Sequence, residues 1–182
     1  MYKNILLLAI LFVITGCSIR EESNIAQLFK KDDIYHISLL NTQKAQLIAS
    51  LETKALMTVT YLNPVYAHAN CKNYQMSIEN GEYFFVGVYI NNSKTHHFDN
   101  KGYSLTLNGV NPMEVKELDK DDPLRYEMPM VDNWSTYYRV KFPPSNMKKF
   151  SLIFESDRFG KDTLEFERAE KEDCQVDSVS LY

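Results

Sequence analysis

Three kinds of side chain in this sequence could do chemistry: imidazoles, clustered carboxylates and thiols. Adjacent histidines point to opposite faces of a strand, and the spacings usual for zinc ligands are absent. The acidic run lacks the Gly and the final Glu of a calcium-binding loop. We therefore predict no metal site and no cofactor. The residues weighed for these two sites are His36, His68, His96, His97, Asp99, Asn100, Asp119, Asp121 and Asp122.

The sequence also lacks the short motifs of common catalytic sites. It has no Gly-x-Ser-x-Gly elbow, no His-Glu-x-x-His pair, no glycine-rich phosphate loop and no Cys-x-x-Cys pair. We predict that the protein is not an enzyme and has no catalytic residue. Two alternatives stay open. One is a hydrolase that cleaves cell-wall or surface polymers with paired carboxylates, and the other is a small-molecule carrier with an apolar cavity.

Among the thiols, Cys17 has the most informative surroundings. Lys3 precedes an uncharged apolar run over residues 5–14, and the small residues Thr15 and Gly16 come directly before Cys17. A basic start, an apolar middle and small residues before a cleavage point are typical of a secretory signal. The run is too short to span a bilayer, which takes about 20 apolar residues.

The segment Ile14-Thr15-Gly16-Cys17 resembles the lipobox of bacterial lipoproteins. The resemblance implies a diacylglyceryl group on the Cys17 sulfur, cleavage after Gly16 and often a third acyl chain on the new amine. Ser18, rather than Asp, follows the cysteine, which in lipoproteins of two-membraned bacteria implies sorting to the outer membrane. We therefore expect a signal peptide over residues 1–16 and a lipid anchor in the cell envelope. The body could face the periplasm or the cell exterior.

The other two thiols, Cys71 and Cys174, form an even pair in an exported chain, so we predict a disulfide between them. The bond would close a loop of about 100 residues and contribute on the order of 4–5 kcal/mol in the chain-entropy model. It would also hold the polar tail, residues 170–182, against the domain. The alternative is a reactive Cys71 with His68 beside it, which no further residue supports.

The charge balance excludes a broad class of partners. Removing residues 1–16 from the 182 leaves 166, a size typical of one domain. The removed segment holds one of the 20 basic residues, Lys3, and none of the 24 acidic ones, so the net charge moves from −4 to −5. Such a chain has no general attraction to nucleic acid or anionic lipid, so we expect no nucleic-acid partner.

Apolar and polar residues alternate with period two over much of the chain, which predicts about seven short strands. Strands with one polar face favour antiparallel sheets, so we predict an immunoglobulin-like β-sandwich over residues 34–169, with a small closed barrel as the alternative. Residues 17–33 are expected to form a lipidated tether and a short helix. Residues 35–55 fit either a helix or a strand, and we favour the strand. The strand predictions cover residues 56–61, 83–90, 103–107, 138–142, 150–154 and 164–166.

Two loops carry further expectations. Asn108-Gly109 is typical of a tight hairpin turn, with a returning strand at Val110 or at Met113 and Val115. The charged run over residues 114–122 is expected to be a solvated loop.

Trp134 and Tyr137 are the candidate partner-binding residues. Aromatic residues near a turn can stack on sugars or anchor a partner, and the competing interpretation, which we favour, places Trp134 in the core. Tyr138 shares the inward phase of Val140 and Phe142, which leaves Tyr137 on the outer, wet face. The sequence thus predicts a lipid-anchored protein that binds or scaffolds a protein or polymer of the envelope, without catalysis.

Overall fold

The computed structural model describes residues 33–71, 80–93, 96–98 and 102–168. The predicted signal peptide, the lipidated Cys17, most of the tether, Cys174 and the tail over residues 170–182 lie outside the described residues. Cys71 is the last residue of a helix, and its pairing with Cys174 stays a prediction. The described elements are α1 (Asp33–Leu40), β1 (Thr42–Ala49), β2 (Glu52–Tyr61), α2 (Leu62–Cys71), β3 (Glu82–Ile90), β4 (Tyr103–Leu107), β5 (Glu114–Glu117), α3 (Pro123–Glu127), β6 (Thr136–Phe142), β7 (Lys149–Ser156) and β8 (Gly160–Glu167).

The strands form two antiparallel sheets, which confirms the predicted mainly β, antiparallel architecture. The larger sheet has the order β1-β2-β3-β6-β5, and the smaller has the order β4-β7-β8. The facing sides of both sheets contribute to one inner core, so the arrangement is an open sandwich. Tyr61, Phe84, Phe142, Phe150 and Phe166 form its aromatic centre, with ring centroids 5.1–6.3 Å apart.

Along one side, the two sheets are joined by hydrogen bonds between their outer strands. Gln46 N donates to Asp162 Oδ2 at 2.8 Å, and the Gln43 side chain donates to the Glu165 carbonyl. These bonds connect the outer strand β1 of the larger sheet to β8 of the smaller sheet. At the other end of the larger sheet, β5 pairs with β6 on one side.

The larger sheet is also covered on the part of its outer face around β3, so the expectation of one wet face is wrong there. β3 is buried along nearly its whole length, because its outward side chains pack under the helices. Gly87 makes room for this packing, since a Cβ at that position would lie 2.5 Å from the Tyr137 ring. The outer cluster consists of Leu62, Val65, Tyr83, Phe85, Leu118, Met128 and Tyr137.

Two helices, α1 and α2, lie where the sequence predicted no helix. Residues 33–40 form α1, and the chain becomes extended only at Thr42, so the predicted strand over 35–55 is wrong in its first part. Asn41 ends the helix, with its backbone N–H donating to Ile37 O at 3.2 Å. Asn63-Pro64 does end a strand, but α2 follows at once, because proline is tolerated in the first turn of a helix.

The Asn108-Gly109 turn forms, but its returning strand does not. The φ angles are 50° and 79°, as a tight hairpin turn requires, and Val110 makes a single bridge to Leu107. The chain then crosses to the other sheet, where Glu114–Glu117 becomes β5 beside β6. The prediction of a loop over residues 114–122 is therefore wrong for its first four residues.

We expect Phe142→Ala to lower the free energy of unfolding by about 3–5 kcal/mol, because it empties a fully buried aromatic position. Tyr137→Ala should cost a similar amount, since Tyr137 is 2% exposed in the outer cluster. Trp134→Ala is the control, because that side chain is 74% exposed and its loss should cost about 0.5 kcal/mol or less. Urea unfolding followed by circular dichroism measures all three. A Tyr137→Ala loss as small as the Trp134→Ala loss would contradict the two-sided burial of the sheet.

Candidate functional site

A fully buried carboxylate stands at the start of β3. Glu82 is 1% exposed, and its Oε2 accepts hydrogen bonds from the Tyr61 hydroxyl at 2.6 Å and from Asn63 Nδ2 at 3.0 Å. Its Oε1 accepts from Ser145 N at 3.0 Å and from the Arg168 guanidinium. A carboxylate offers about four lone pairs, and these four donors occupy them. The carboxylate is therefore a structural tie between β2, β3, the loop after β6 and the end of β8, and not an acid or base free to meet a substrate.

Tyr61 stays protonated in this network. Burial raises the pKa of its phenol far above 10.0, and the neighbouring Glu82 carboxylate, which accepts a hydrogen bond from the hydroxyl, raises it further. Ionising Tyr61 would place two negative groups in contact inside the protein. The hydroxyl thus acts as a permanent donor to Glu82.

A groove of about 530 Å³ opens on the outer face of the larger sheet, beside β5. Three of its charged side chains are engaged with one another or with the backbone. Arg139 Nη2 lies 3.7 Å from Glu114 Oε1, and Asp122 Oδ1 accepts from Leu124 N at 3.0 Å at the start of α3. Burial raises the pKa of Tyr66, which lines the groove, to about 12, against the lowering effect of Arg139. With both signs of charge present, this groove does not select a ligand of either sign.

A strongly exposed tryptophan lies in the loop that follows α3. Trp134 is 74% exposed, so the interpretation that places it in the core is wrong. Three more large side chains are exposed in the last residues of α3 and in this loop, and we call residues 126–134 together the aromatic loop. These three are Tyr126 at 75%, Met130 at 46% and Val131 at 36% exposure.

The aromatic loop is held in place by hydrogen bonds around one aspartate. Asp132 Oδ1 accepts from Trp134 N at 2.8 Å and from Ser135 N at 2.7 Å, while Asp132 N donates to the Tyr137 hydroxyl at 2.7 Å. The Arg125 guanidinium lies 4.6 Å above the Tyr137 ring and covers it from the side of α3. Tyr137 thus lies beneath the surface and does not have the exposed position that the sequence predicted. It supports the backbone that presents Trp134.

The histidines and the acidic run do not converge on one point. His96 Nδ1 accepts from Ile90 N at 2.9 Å, whereas His97 Nδ1 lies 2.6 Å from the Tyr138 hydroxyl and 3.5 Å from Glu117 Oε2. Within residues 33–71, 80–93, 96–98 and 102–168, no three His, Cys, Asp or Glu side chains are close enough together to hold a metal ion. None of the helices in those ranges is long and apolar enough to cross a membrane.

Comparison with family models, with curated proteins and with solved structures finds no match to this chain.

We expect Glu82→Gln to destabilise the protein by about 1–3 kcal/mol. The NH₂ group of the new amide would face hydrogen-bond donors, and it cannot accept hydrogen bonds from them. Denaturant unfolding at neutral pH measures the loss. Glu165→Gln is the matched control, since it changes the same functional group at an exposed position on β8 and should change little. Equal losses of unfolding free energy for the two variants would contradict a stabilising role for the Glu82 hydrogen bonds.

Proposed function

We propose that this protein is a lipid-anchored lipoprotein of the bacterial cell envelope that binds or scaffolds another envelope component without catalysis. The lipobox-like segment ending at Cys17 supports the anchor, and Ser18 supports an outer-membrane address. The pair Cys71 and Cys174 suits an oxidising compartment, which the periplasm provides. We also assign the sandwich to the immunoglobulin-like class, since two antiparallel sheets enclose one core and the chain crosses between them.

The main support for a binding role is that Trp134 is exposed on a backbone held by hydrogen bonds. Tryptophan is enriched among the residues that dominate binding energies, because one side chain brings a large contact area and a hydrogen-bond donor. A side chain on a fixed backbone loses less conformational entropy on binding than one on a flexible loop. The hydrogen bonds of Asp132 fix the backbone at Trp134 in this way.

The aromatic loop also has the composition expected of a binding surface. Tyr126, Met130 and Val131 expose apolar area in the same segment as Trp134, which also contains the charged residues Glu127 and Asp132. Aromatic residues and methionine are enriched in the centres of interfaces, where charged residues are depleted. A protein partner or a sugar polymer could both use such a surface, because aromatic rings pack on either.

Replacing Cys17 with Ser should abolish lipid attachment and leave the uncleaved precursor, since the thiol is the acylated group in lipoproteins. Metabolic labelling with a radioactive fatty acid and the size of the chain on a gel measure the two effects. Cys71→Ser is the control and should keep both the label and the cleavage. A Cys17→Ser protein that is still labelled would contradict the anchor.

A photoreactive amino acid placed at position 134 should form a discrete adduct with an envelope component in living cells. Leu51 is the control position, because it is fully exposed but belongs to the turn between β1 and β2. A probe at Tyr126 should give the adduct of position 134, since Tyr126 is exposed at the end of α3, which leads into the loop that presents Trp134. Adducts that are identical from positions 51 and 134, or none from position 134, would contradict a binding role for the aromatic loop.

The same role can be measured with purified protein, because Trp134 is the sole tryptophan of the chain. Its fluorescence should shift to shorter wavelength on titration with soluble peptidoglycan chains if the partner is the wall polymer. An unchanged spectrum with peptidoglycan, together with a protein adduct in cells, would assign the loop to a protein partner.

A further inference from the structure

β5 is the last strand of the larger sheet in the described part of the chain, and all four of its residues are exposed. The opposite end of that sheet is closed, since β1 forms hydrogen bonds to β8 through Gln43 and Gln46. Exposed edge strands carry unpaired backbone N–H and C=O groups that can bind another strand. The edge at β5 is therefore where this sheet can be extended.

The hydrogen-bond phase shows which peptide groups of β5 face outward. In the antiparallel ladder Glu114, Lys116 and Leu118 lie opposite Lys141, Arg139 and Tyr137, and Leu118 N donates to Tyr137 O at 2.8 Å. Hydrogen-bonded pairs alternate with non-hydrogen-bonded pairs along such a ladder. The backbone N–H and C=O groups of Val115 and of Glu117 therefore point away from β6 and toward solvent.

The charges on β5 complement those of a second β5 in one register. When two copies run antiparallel with Val115 opposite Val115, Glu114 of each lies opposite Lys116 of the other. The two Val115 residues then form a hydrogen-bonded pair, which agrees with the phase of the ladder. Glu114 and Lys116 form non-hydrogen-bonded pairs, in which the side chains are closest, about 4.5 Å between Cα atoms.

Other two-fold registers do not fit. Centring the pair on Glu117 would place two carboxylates opposite each other, and like charges directly across a ladder are destabilising. Centring it on Lys116 would place two ammonium groups opposite each other, which is destabilising for the same reason. The register centred on Val115 thus satisfies both the hydrogen bonds and the charges.

Lys116 gives a second reason for this register. It lies directly opposite Arg139, a residue of the same sign, and among the described residues no carboxylate forms an ion pair with it. Glu114 of a second copy would supply that carboxylate. The half-exposed Val115, at 38%, would at the same time meet its own copy on the other face of the sheet.

We propose that two copies of this protein associate through β5, in an antiparallel two-fold pairing centred on Val115 that joins the two larger sheets into one. The contact is only four residues long in each copy. It therefore buries less surface than the roughly 1,200 Å² that stable complexes usually bury. The dimer is therefore weak, and the fraction of the protein that is dimeric rises with protein concentration.

The test is sedimentation equilibrium of the full chain in a non-ionic detergent, over a range of concentrations. Wild-type protein should dimerise reversibly, and more weakly at high salt. Glu114→Lys and Lys116→Glu should each weaken the dimer by roughly tenfold or more, because each turns two attractive pairs into repulsive ones. Lys44→Glu is the control, since it reverses an exposed charge on β1 at the other end of the sheet and should leave the dimer unchanged.

The double variant Glu114→Lys with Lys116→Glu decides the register. It exchanges the charges within one chain, so each cross-strand pair is attractive again and the affinity should return to within about threefold of wild type. An equal mixture of the two single variants should form a mixed dimer. A wild-type protein that stays monomeric at every concentration would overturn the proposal, as would a dimer that ignores these changes or a double variant that does not recover.

Cysteine placement tests the same register without changing any charge at positions 114 and 116. In Val115→Cys the facing Cα atoms would lie about 5.5 Å apart, a distance that a disulfide spans. Glu117→Cys carries the same native cysteines but would place its two new thiols four residues out of register. Mild oxidation should therefore link Val115→Cys into dimers and leave Glu117→Cys unlinked. Equal linking of both variants, or linking of Glu117→Cys alone, would contradict the register.

Discussion

β3 has to be buried on both of its faces, and this constraint organises the rest of the molecule. Its inward residues, such as Phe84 and Val86, need the smaller sheet opposite them, while Tyr83 and Phe85 need a cover on the other side. A strand of this kind can lie only in the interior of a sheet, with partners on both edges. The three-layer arrangement of smaller sheet, larger sheet and helical cover follows from that one segment.

The Glu82 tie stands at the end of the same strand and connects parts of the chain that are distant in sequence. Burying a charge is costly unless it is paired and fully hydrogen-bonded, so the four donors around Glu82 are what make its burial possible. Tyr61 connects it to the aromatic centre of the core, because its ring packs against Phe84 and Phe150. The Glu82 hydrogen bonds and the packing of the aromatic core therefore depend on each other through Tyr61.

The sequence predicted the inner core well, because alternation with period two reports which residues share a face. It did not predict the outer cluster, although the signal was present: both phases of residues 83–90 are apolar, with Tyr83, Phe85 and Tyr89 in the supposedly wet phase. The edge strand β5 has the composition of a loop, since three of its four residues are charged, and only its neighbour β6 makes it a strand. The exposure of Trp134 depends on backbone hydrogen bonds to Asp132, which composition does not report.

The order of strands along the chain differs from their order in the larger sheet, and this has a consequence for how the chain reaches its fold. β1, β2 and β3 pair with their neighbours in sequence, so they can form a meander as soon as residues 42–90 are available. The second edge of β3 must then wait for β6, and β5, although made earlier, can join only through β6. Non-local pairing of this kind is slow, and an unpaired apolar strand promotes aggregation. The stretch of chain between β3 and residues 136–142 therefore sets how long the apolar edge of β3 stays open.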